Sequence, residues 1–366
     1  MPKQLLNILF FSLLCILCYA QNTGNAIRKS GVFRIGELNC ENLFDTLHDE
    51  GFNDHEFLPQ GERQWTTSRY WRKMSMLARE IASMSSVEPI DLVALIEVEN
   101  DTVLRDLTQR TVLSRLGYRY IVTHGIDPRG IDVALLYQEG AFKPLNIRSI
   151  RLGDRILPPL RTRDVLHVNG RTRSGDTIDV FVCHMPSKVG GKKSERNRTK
   201  IARQLRLCID SVNAQNPCAN IIVTGDFNDS PSSESLTRDL GAILLHPVSG
   251  GKRQKHRYKA ESRLFTAQFA RLYNLSVQPD DKGAPQGTYS YRGDWEILDQ
   301  CIVNERLLNS SNRLHIARNP YRIVNSQFLL DKDAAYGGFK PMRTFQGTFY
   351  RGGFSDHLPI IVEFEY

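Results

Sequence analysis

The sequence predicts a single α+β domain built as a four-layer α/β/β/α sandwich, in which two facing mixed sheets are flanked by helices. Strand-like and helix-like segments interleave along the chain, as expected for sheets that are covered by helices. No stretch between them has the composition of a linker, and no internal repeat is visible. Polar residues stand at the ends of apolar strands in both halves of the chain, and two facing sheets would bring these ends to one rim.

The N-terminus predicts an export signal. A single lysine precedes an apolar run that ends in the small residues of "CYA", so we expect residues 1–20 to be a secretory signal peptide cut after Ala20. The apolar run is short for a membrane span, which needs roughly 20 residues. A lipid anchor at Cys15 or Cys18, and an uncleaved anchor, are the alternatives. The protein would then be periplasmic or extracellular, with no stable membrane span.

Residues 21–30 are typical of a flexible leader, and 31–366 are expected to form the domain. Apolar residues at helical spacing predict helices over 69–84, 102–117, about 193–214 and 264–275. Apolar or alternating runs predict strands over 32–39, 91–99, 118–125, 131–138, 220–225, 287–293, 296–304 and 358–366, and a hairpin over 165–187.

Composition narrows the class of function. The formal net charge of +8 favours a polyanionic partner such as nucleic acid or lipid headgroups. Beyond the predicted signal peptide the chain keeps an odd number of cysteines without a CxxC pair, which argues against a disulfide framework or a cysteine zinc site. We expect a monomer.

The candidate site consists of polar residues at apolar strand ends. They are Asn39, Glu97, Glu99, His184, Asp226, Asn228, Asp299, Asp356 and His357. Each alone is typical of a turn or of a structural residue, but buried carboxylates are costly unless they are paired or bound to metal. Together they favour phosphoester hydrolysis, because carboxylates can hold Mg²⁺ and take a proton from water while imidazoles stabilise phosphoryl charge. The chain has no GxSxG elbow, no P-loop and no HExxH motif.

The ordered series of motifs resembles the endonuclease/exonuclease/phosphatase superfamily, the group of DNase I, exonuclease III and sphingomyelinase. The motifs are "LNCENLFD" (38–45), "LIEVEN" (95–100), "RGIDVALLY" (129–137), "HMPSKVGG" (184–191), "GDFND" (225–229), "LDQCIV" (298–303) and "SDHLP" (355–359). The resemblance runs from about residue 33 to residue 366, and "DHEFLPQGERQW" is similar to a bacterial exported branch. Leu38 and Cys40 depart from many relatives, but both remain apolar.

The resemblance implies a Mg²⁺ site, with Mn²⁺ as the alternative ion. Glu97 would be the principal metal ligand, Asn39 would contact metal or phosphate, and Asp356 would complete the metal side. Glu99 remains the alternative ligand, because residues two apart on a strand point the same way.

The resemblance also implies the catalytic groups. Asp226 would orient or deprotonate the attacking water, and Asn228 would hold a phosphate oxygen. His357 would contact the phosphate, with Asp299 fixing its tautomer through a hydrogen bond.

Arg129, Asp132 and Arg196 are the residues expected to lie on the substrate side of the site. His184 would be a second phosphate-facing imidazole, and Asp132 would be its carboxylate partner unless Asp132 pairs with Arg129 instead. Arg196, Lys200 and Arg203 fall on one helical face, which is favoured to be a solvated face, and the alternative is that Arg196 or Arg198 leans toward substrate phosphate.

The favoured function is therefore a metal-dependent phosphodiesterase, most simply a nuclease. The basic loop 252–259 could follow a nucleic-acid backbone, and Trp295 could form a cleft wall or pack in the core. The alternatives are a phosphatase or sphingomyelinase-like phospholipase of the same fold, and a non-catalytic nucleic-acid-binding module.

Overall fold

The computed structural model describes residues 31–245, 269–276 and 287–366. The predicted signal peptide (1–20), the leader (21–30) and the basic loop (252–259) lie outside the described residues. None of the helices in the described part of the chain combines the length and the apolar character that a membrane-spanning helix requires.

The described residues form four α-helices, α1 (Thr67–Ser83), α2 (Asp101–Gln109), α3 (Gly191–Gln215) and α4 (Glu305–Leu308). Shorter helical turns cover His55–Phe57, Val112–Arg115, Leu152–Arg155, Lys188–Gly190, Ser235–Asp239 and Gln327–Leu329. The helices predicted over 69–84 and 193–214 are confirmed as α1 and α3. The helix predicted over 102–117 divides into α2 and the separate turn at Val112–Arg115.

The strands of the described residues, in chain order, are β1 (Val32–Leu43), β2 (Leu92–Val98), β3 (Tyr118–Val122), β4 (Asp132–Gln138), β5 (Phe142–Ile150), β6 (Val165–Thr172), β7 (Thr177–His184), β8 (Asn220–Asp226), β9 (Ala242–Leu244), β10 (Leu272–Asn274), β11 (Tyr289–Tyr291), β12 (Asp294–Glu296), β13 (Asp299–Asn304), β14 (His315–Ile323), β15 (Leu330–Lys332), β16 (Phe339–Pro341), β17 (Phe345–Gln346), β18 (Phe349–Tyr350) and β19 (Ile360–Glu365). The helix predicted over 264–275 is wrong in its described part. Residues 272–274 form β10, because pairing with β13 satisfies their backbone groups in a sheet.

Two large mixed sheets organise the domain, which confirms the predicted fold class. The six-stranded sheet has the order β14-β19-β1-β2-β4-β3, and the seven-stranded sheet has the order β5-β6-β7-β8-β13-β10-β9. Strand β1 runs parallel to β2 and antiparallel to β19, while β7 runs parallel to β8. The sheets face each other, since β2 contacts both β7 and β8.

Alternation along the strands divides the apolar residues between two cores. Val180 and Val182 of β7 join the core between the sheets, while Phe181 and Cys183 face outward and pack with α3. Successive side chains of a strand point to opposite faces, so one strand supplies both cores. The outer core includes the predicted apolar stripe of α3, from Ile201 to Ile209.

Helix α1 carries two charged side chains into the protein. The Lys73 ammonium is buried and donates to Thr344 Oγ1 at 2.6 Å and to the Phe354 carbonyl at 2.5 Å, which holds the 344–354 segment against α1. Glu80 is also buried, and neither of its carboxylate oxygens has a hydrogen-bond partner among the described residues. Burial raises the pKa of Glu80 to about 8, although Lys73 works against this shift.

Replacing Glu80 with Gln should make the free energy of unfolding less dependent on pH. The folded-state pKa is raised from 4.5 to about 8, so stability from the protonated Glu80 is present below pH 4.5 and lost as the pH rises to about 8. The Gln variant has no proton to lose. Its stability relative to wild type should therefore be at least about 1 kcal/mol greater at pH 8 than at pH 5.

Urea unfolding at both pH values measures this difference. Glu195→Gln, on the exposed face of α3, is the matched control and should follow wild type at both values. Identical pH profiles for wild type and Glu80→Gln would contradict the prediction.

Candidate active site

Three strand ends of the seven-stranded sheet place His184, Asp226 and Asp299 side by side. His184 ends β7 and is in register with Asp226, which ends β8. Asp226 is in turn in register with Asp299, which begins β13. All three side chains are buried. Because backbone pairing fixes the register, one imidazole and two carboxylates meet at this edge of the sheet.

The facing edge of the six-stranded sheet supplies the other side of a pocket of about 550 Å³. The pocket is lined by Asn39, Asn42, Glu97, Arg129, His184, Ser187, Lys188, Val189, Asp226, Asn228, Tyr289, Tyr291, Asp294, Glu296, Leu298, Asp356 and His357. The structure thus brings together most of the predicted site residues from both halves of the chain. Asp299 lies behind His357 as its hydrogen-bond partner.

Glu97 reaches the pocket through a distorted strand. Its φ is 62°, in the left-handed region that non-glycine residues rarely adopt, and the pairing of β2 is irregular between Ile96 and Val98. Glu97 Oε2 accepts a hydrogen bond from the Asn42 amide at 2.9 Å. Glu99 is buried away from the pocket and accepts from the Asp45 amide at 2.6 Å. The expectation that Glu97 and Glu99 point the same way is therefore wrong.

Asp226 is oriented by two amide side chains. Asn228 Nδ2 donates to Asp226 Oδ2 at 3.0 Å, and Asn39 Nδ2 donates to the same oxygen at 3.2 Å. Burial raises the pKa of Asp226 to about 7, although His357 opposes the shift. A carboxylate with this pKa is suited to accept a proton near neutral pH.

Asn228 has a different environment from the one expected. Its φ is 50°, and its Nδ2 also donates to the Met185 carbonyl at 3.1 Å. Both amide hydrogens are thus engaged within the protein, so in this arrangement Asn228 orients Asp226 rather than offering a donor to phosphate.

Gly225, directly before Asp226, permits the close approach of β8 to β7. Its φ is 139°, and a Cβ at this position would lie 1.9 Å from the Cys183 carbonyl oxygen. Only glycine fits here, which explains the glycine of the "GDFN" motif.

His357 forms the predicted pair with Asp299. The distance from His357 Nδ1 to Asp299 Oδ2 is 2.7 Å, and both side chains are buried. Burial alone would lower the pKa of His357, but Asp299, Asp356 and Asp226 outweigh it and hold that pKa well above its ordinary value. His357 is therefore an imidazolium at neutral pH.

His184 has the opposite charge state. Burial, together with Arg163 and Arg129, holds the pKa of His184 well below its ordinary value, so the imidazole is neutral. Its Nε2 lies 3.6 Å from Glu97 Oε1 and 3.7 Å from Asp226 Oδ2. Its Nδ1 has no hydrogen-bond partner among the described residues.

The predicted partner of His184 is wrong. Asp132 instead accepts from Thr123 Oγ1 at 2.6 Å and from the Gly125 amide at 2.9 Å, so it closes the turn between β3 and β4. The alternative pairing of Asp132 with Arg129 is also wrong, because Arg129 Nε lies 3.4 Å from Asp127 Oδ1.

Arg196 was predicted to contact substrate, but the structure places it outside the pocket. Arg196 lies on the exposed face of α3 and is not among the pocket-lining residues. Arg198, one of the two arginines weighed for this role, is buried and pairs with Asp229 at 2.9 Å. Trp295 packs against the inter-sheet core.

Sequence reasoning missed two ion pairs at the pocket wall. Arg343 Nη2 lies 2.6 Å from Asp356 Oδ2, and Lys188 Nζ lies 2.7 Å from Glu296 Oε1. Asp356 therefore stands beside a cation, in addition to its predicted place on the metal side. Lys188 lies within the "HMPSKVGG" motif, which could have singled it out, whereas no motif distinguishes Arg343 from the other basic residues of the chain.

Glu37 was also missed, and strand alternation could have found it. It precedes Asn39 by two residues, so it points to the same face of β1. Its side chain is fully buried, and neither carboxylate oxygen receives a hydrogen bond from a described donor. Burial and the nearby carboxylates of Asp299 and Asp226 raise the pKa of Glu37 well above its ordinary value. Glu37 is therefore a neutral acid beneath the site.

The donor set fits a divalent metal. Glu97 and Asp226 both face the pocket, and neither has a Lys or Arg within ion-pair distance among the described residues. The ionisable side chain that lies between these two carboxylates is His184, whose imidazole is neutral. Carboxylate and amide oxygens that converge without a basic partner are the ligands that hard cations such as Mg²⁺ prefer.

The solved structures that resemble this protein share its architecture. An endonuclease/exonuclease/phosphatase family protein from Bacteroides thetaiotaomicron is 15% identical, with a TM-score of 0.55 over 93% of this chain and 96% of that chain. A mannosyl-6-phosphatase from the same organism is 15% identical, with a TM-score of 0.55 over 91% and 100%. TDP2 from D. rerio, complexed with a single-strand DNA product, is 15% identical, with a TM-score of 0.50 over 91% and 99%. A search of curated proteins found no match.

The fold and the pocket define a two-sheet sandwich with a metal-compatible site of the phosphoester hydrolase class. The sequence model of the endonuclease/exonuclease/phosphatase family matches residues 34–366. The chain therefore belongs to this family.

Replacing Asp299 with Asn should lower kcat by about 10²–10⁴-fold, because a neutral amide no longer stabilises the imidazolium of His357 or fixes its tautomer. Hydrolysis of bis(p-nitrophenyl) phosphate measures the loss. Asp179→Asn is the matched control, because Asp179 and His167 form a buried pair at 2.9 Å outside the pocket. A variant of Asp299 that keeps wild-type kcat would contradict the role of this pair.

Proposed function

We propose that the protein is a divalent-metal-dependent phosphoester hydrolase in which Asp226 activates the attacking water. The observation that carries this proposal is the convergence, in one pocket, of a carboxylate with a pKa of about 7 and two buried imidazoles of opposite charge state. The base, the cation and the neutral donor that phosphoester hydrolysis needs are therefore close together before substrate binds.

The residues divide the work of the reaction. Asp226 Oδ2, held by Asn39 and Asn228, accepts the proton of the water that attacks phosphorus. His357, kept positive by Asp299, faces the negative charge that develops on the phosphoryl oxygens. His184 contributes a neutral imidazole, which can donate a hydrogen bond without repelling a cation.

Glu97, which has no Lys or Arg partner among the described residues, would be the principal residue that holds the metal, with Asn39 and the Arg343-paired Asp356 completing its side of the pocket. A bound Mg²⁺ or Mn²⁺ would polarise a phosphate oxygen as a Lewis acid. The ion pair between Arg343 and Asp356 limits the negative charge that Asp356 adds to the site.

A nucleic acid is the first candidate substrate, and the protein would act on it outside the cytoplasm. The net charge of +8 favours a polyanion, and the single-strand DNA product bound to the structural neighbour TDP2 is consistent with it. The N-terminal sequence supports export, as a periplasmic or extracellular nuclease.

A phosphatase that acts on a compact, hydroxyl-bearing molecule is the second candidate. Asp294 and Glu296 line the pocket wall, where their oxygens can accept hydrogen bonds from hydroxyl groups, and Asp294, unlike the Lys188-paired Glu296, has no ion-pair partner among the described residues and repels further phosphates. The pocket volume of about 550 Å³ suits a small ligand, and a structural neighbour is a mannosyl-6-phosphatase.

Asp226→Asn should lower kcat by about 10²–10⁴-fold on any substrate, because the amide cannot accept the water proton. The substrates to compare are plasmid DNA, RNA, sphingomyelin and phosphorylated sugars, each with Mg²⁺, Mn²⁺ or EDTA. Asp179→Asn again controls for stability. Retained activity in Asp226→Asn would refute the base, and full activity in EDTA would refute the metal requirement.

A further inference from the structure

A second cluster of metal-ligating side chains lies in the loop between β1 and α1. One ligand atom from each of His48, Asp54 and His55 falls within 4.8 Å of the other two. None of the three lines the active pocket. Two imidazoles and one carboxylate form a donor set that differs in kind from the oxygen-rich set of the pocket.

The three side chains are in contact, and shared coordination of one ion needs one imidazole to turn out of the stack, because the nitrogen lone pairs lie in the ring planes. His48 Nδ1 lies 2.5 Å from Asp54 Oδ1, and the rings of His48 and His55 stack with their centroids 4.4 Å apart. The Asp54 carboxylate is buried, whereas both histidines are exposed. Asp54 precedes a turn of helix, but its side chain makes no capping hydrogen bond there. Its two carboxylate oxygens instead contact His48 Nδ1 and accept from the Asp49 amide, so Asp54 closes the loop rather than capping the helical turn.

Acidic residues without a basic partner surround this cluster. Asp45, Asp49 and Glu99 lie near enough to interact electrostatically with one another and with Asp54. Within the described residues, no Lys or Arg comes within 4.0 Å of any of these four carboxylates. Burial raises the pKa of Glu99 to about 9, and the neighbouring carboxylates add to the shift. Glu99 is therefore uncharged at neutral pH, and the remaining acidic groups beside Asp54, which lack a basic partner, favour a bound cation.

The loop is fixed in place at several points. Asn100 Nδ2 donates to Asp49 Oδ2 at 3.0 Å, and the Asp49 amide donates to Asp54 Oδ2 at 2.8 Å. The Asn53 amide donates to the Pro128 carbonyl at 2.8 Å, next to Arg129 of the active pocket. A ligand set that is held in advance loses little conformational entropy on binding.

We propose that His48, Asp54 and His55 form a second metal site, which takes a divalent transition ion such as Zn²⁺. Imidazole nitrogen with one carboxylate is a donor set that Zn²⁺ accepts, whereas Mg²⁺ prefers oxygen ligands. Three protein ligands leave a position for water. Binding replaces the hydrogen bond between His48 and Asp54 by metal–ligand bonds. The ion would join the two ends of the 48–55 loop.

The direct test is zinc stoichiometry in the presence of excess Mg²⁺. Purified protein is stripped with chelator, dialysed against Zn²⁺ and assayed for bound metal. The variant carrying both His48→Ala and His55→Ala should bind one Zn²⁺ fewer per chain than wild type. Any zinc in the active pocket contributes equally to both proteins, so the difference reports the loop alone.

A matched control uses another exposed histidine beside a carboxylate. His124 Nε2 lies 3.2 Å from Asp101 Oδ2, without a second histidine in its cluster. His124→Ala should therefore keep the wild-type zinc content. Equal zinc content in wild type and in the double variant would overturn the proposal, and so would an equal loss in His124→Ala.

A second readout does not depend on activity or on the double variant folding well. Zn²⁺ should raise the melting temperature of wild type, because an ion that binds only the folded state stabilises it. The single variant His55→Ala should bind Zn²⁺ at least about tenfold more weakly and lose most of this increase. The same zinc-dependent increase in wild type and in His55→Ala would also overturn the proposal.

Discussion

The hydrogen bond between His357 and Asp299 is the interaction on which the site depends. His357 lies just before β19 of the six-stranded sheet, and Asp299 begins β13 of the seven-stranded sheet. This contact joins the pocket-facing edges of the two sheets, and it helps to keep the His357 imidazole positively charged. The imidazolium in turn opposes the rise in the pKa of Asp226, which would otherwise become too weak an acid to lose its proton near neutral pH.

The site is assembled at a cost in folding free energy. Glu37 and Asp226 are carboxyl groups removed from water, and burial is the largest cause of the pKa shift of each. Glu97 and Asn228 adopt a positive φ that costs of the order of 1–3 kcal/mol each. The surrounding β-ladders must offset this strain. Such strain persists where the neighbouring structure fixes the backbone, as the paired residues on either side of Glu97 and the paired end of β8 before Asn228 do here.

Strand-end chemistry could be predicted from the sequence because it depends on local pattern. An apolar run followed by "GDFND" places Asp226 at the end of a strand, and register then determines its neighbours. Glu99 could not be placed correctly, since the reversal at Glu97 interrupts the alternation on which the prediction relied. Asp132 was predicted to pair with His184 because it is a polar residue before an apolar strand. Its carboxylate instead accepts hydrogen bonds from the nearby Thr123 hydroxyl and Gly125 amide. Short-range partners of this kind leave no periodic signal.

The distribution of charge bears on substrate more directly than its sum. The net charge of +8 is the difference between basic and acidic residues over the whole chain, including the 252–259 loop outside the described residues. At the pocket wall, Lys188 forms an ion pair with Glu296, so its positive charge is not free to contact a polyanion. A nucleic-acid strand needs positive charge along its path, whereas a compact phosphoester needs it only at one phosphate. His357 and Arg129 supply positive charge for one phosphate in the pocket, since Asp127 is shared between Arg129 and Arg163. A nucleic-acid strand would therefore need its other phosphate contacts from basic residues beyond the pocket.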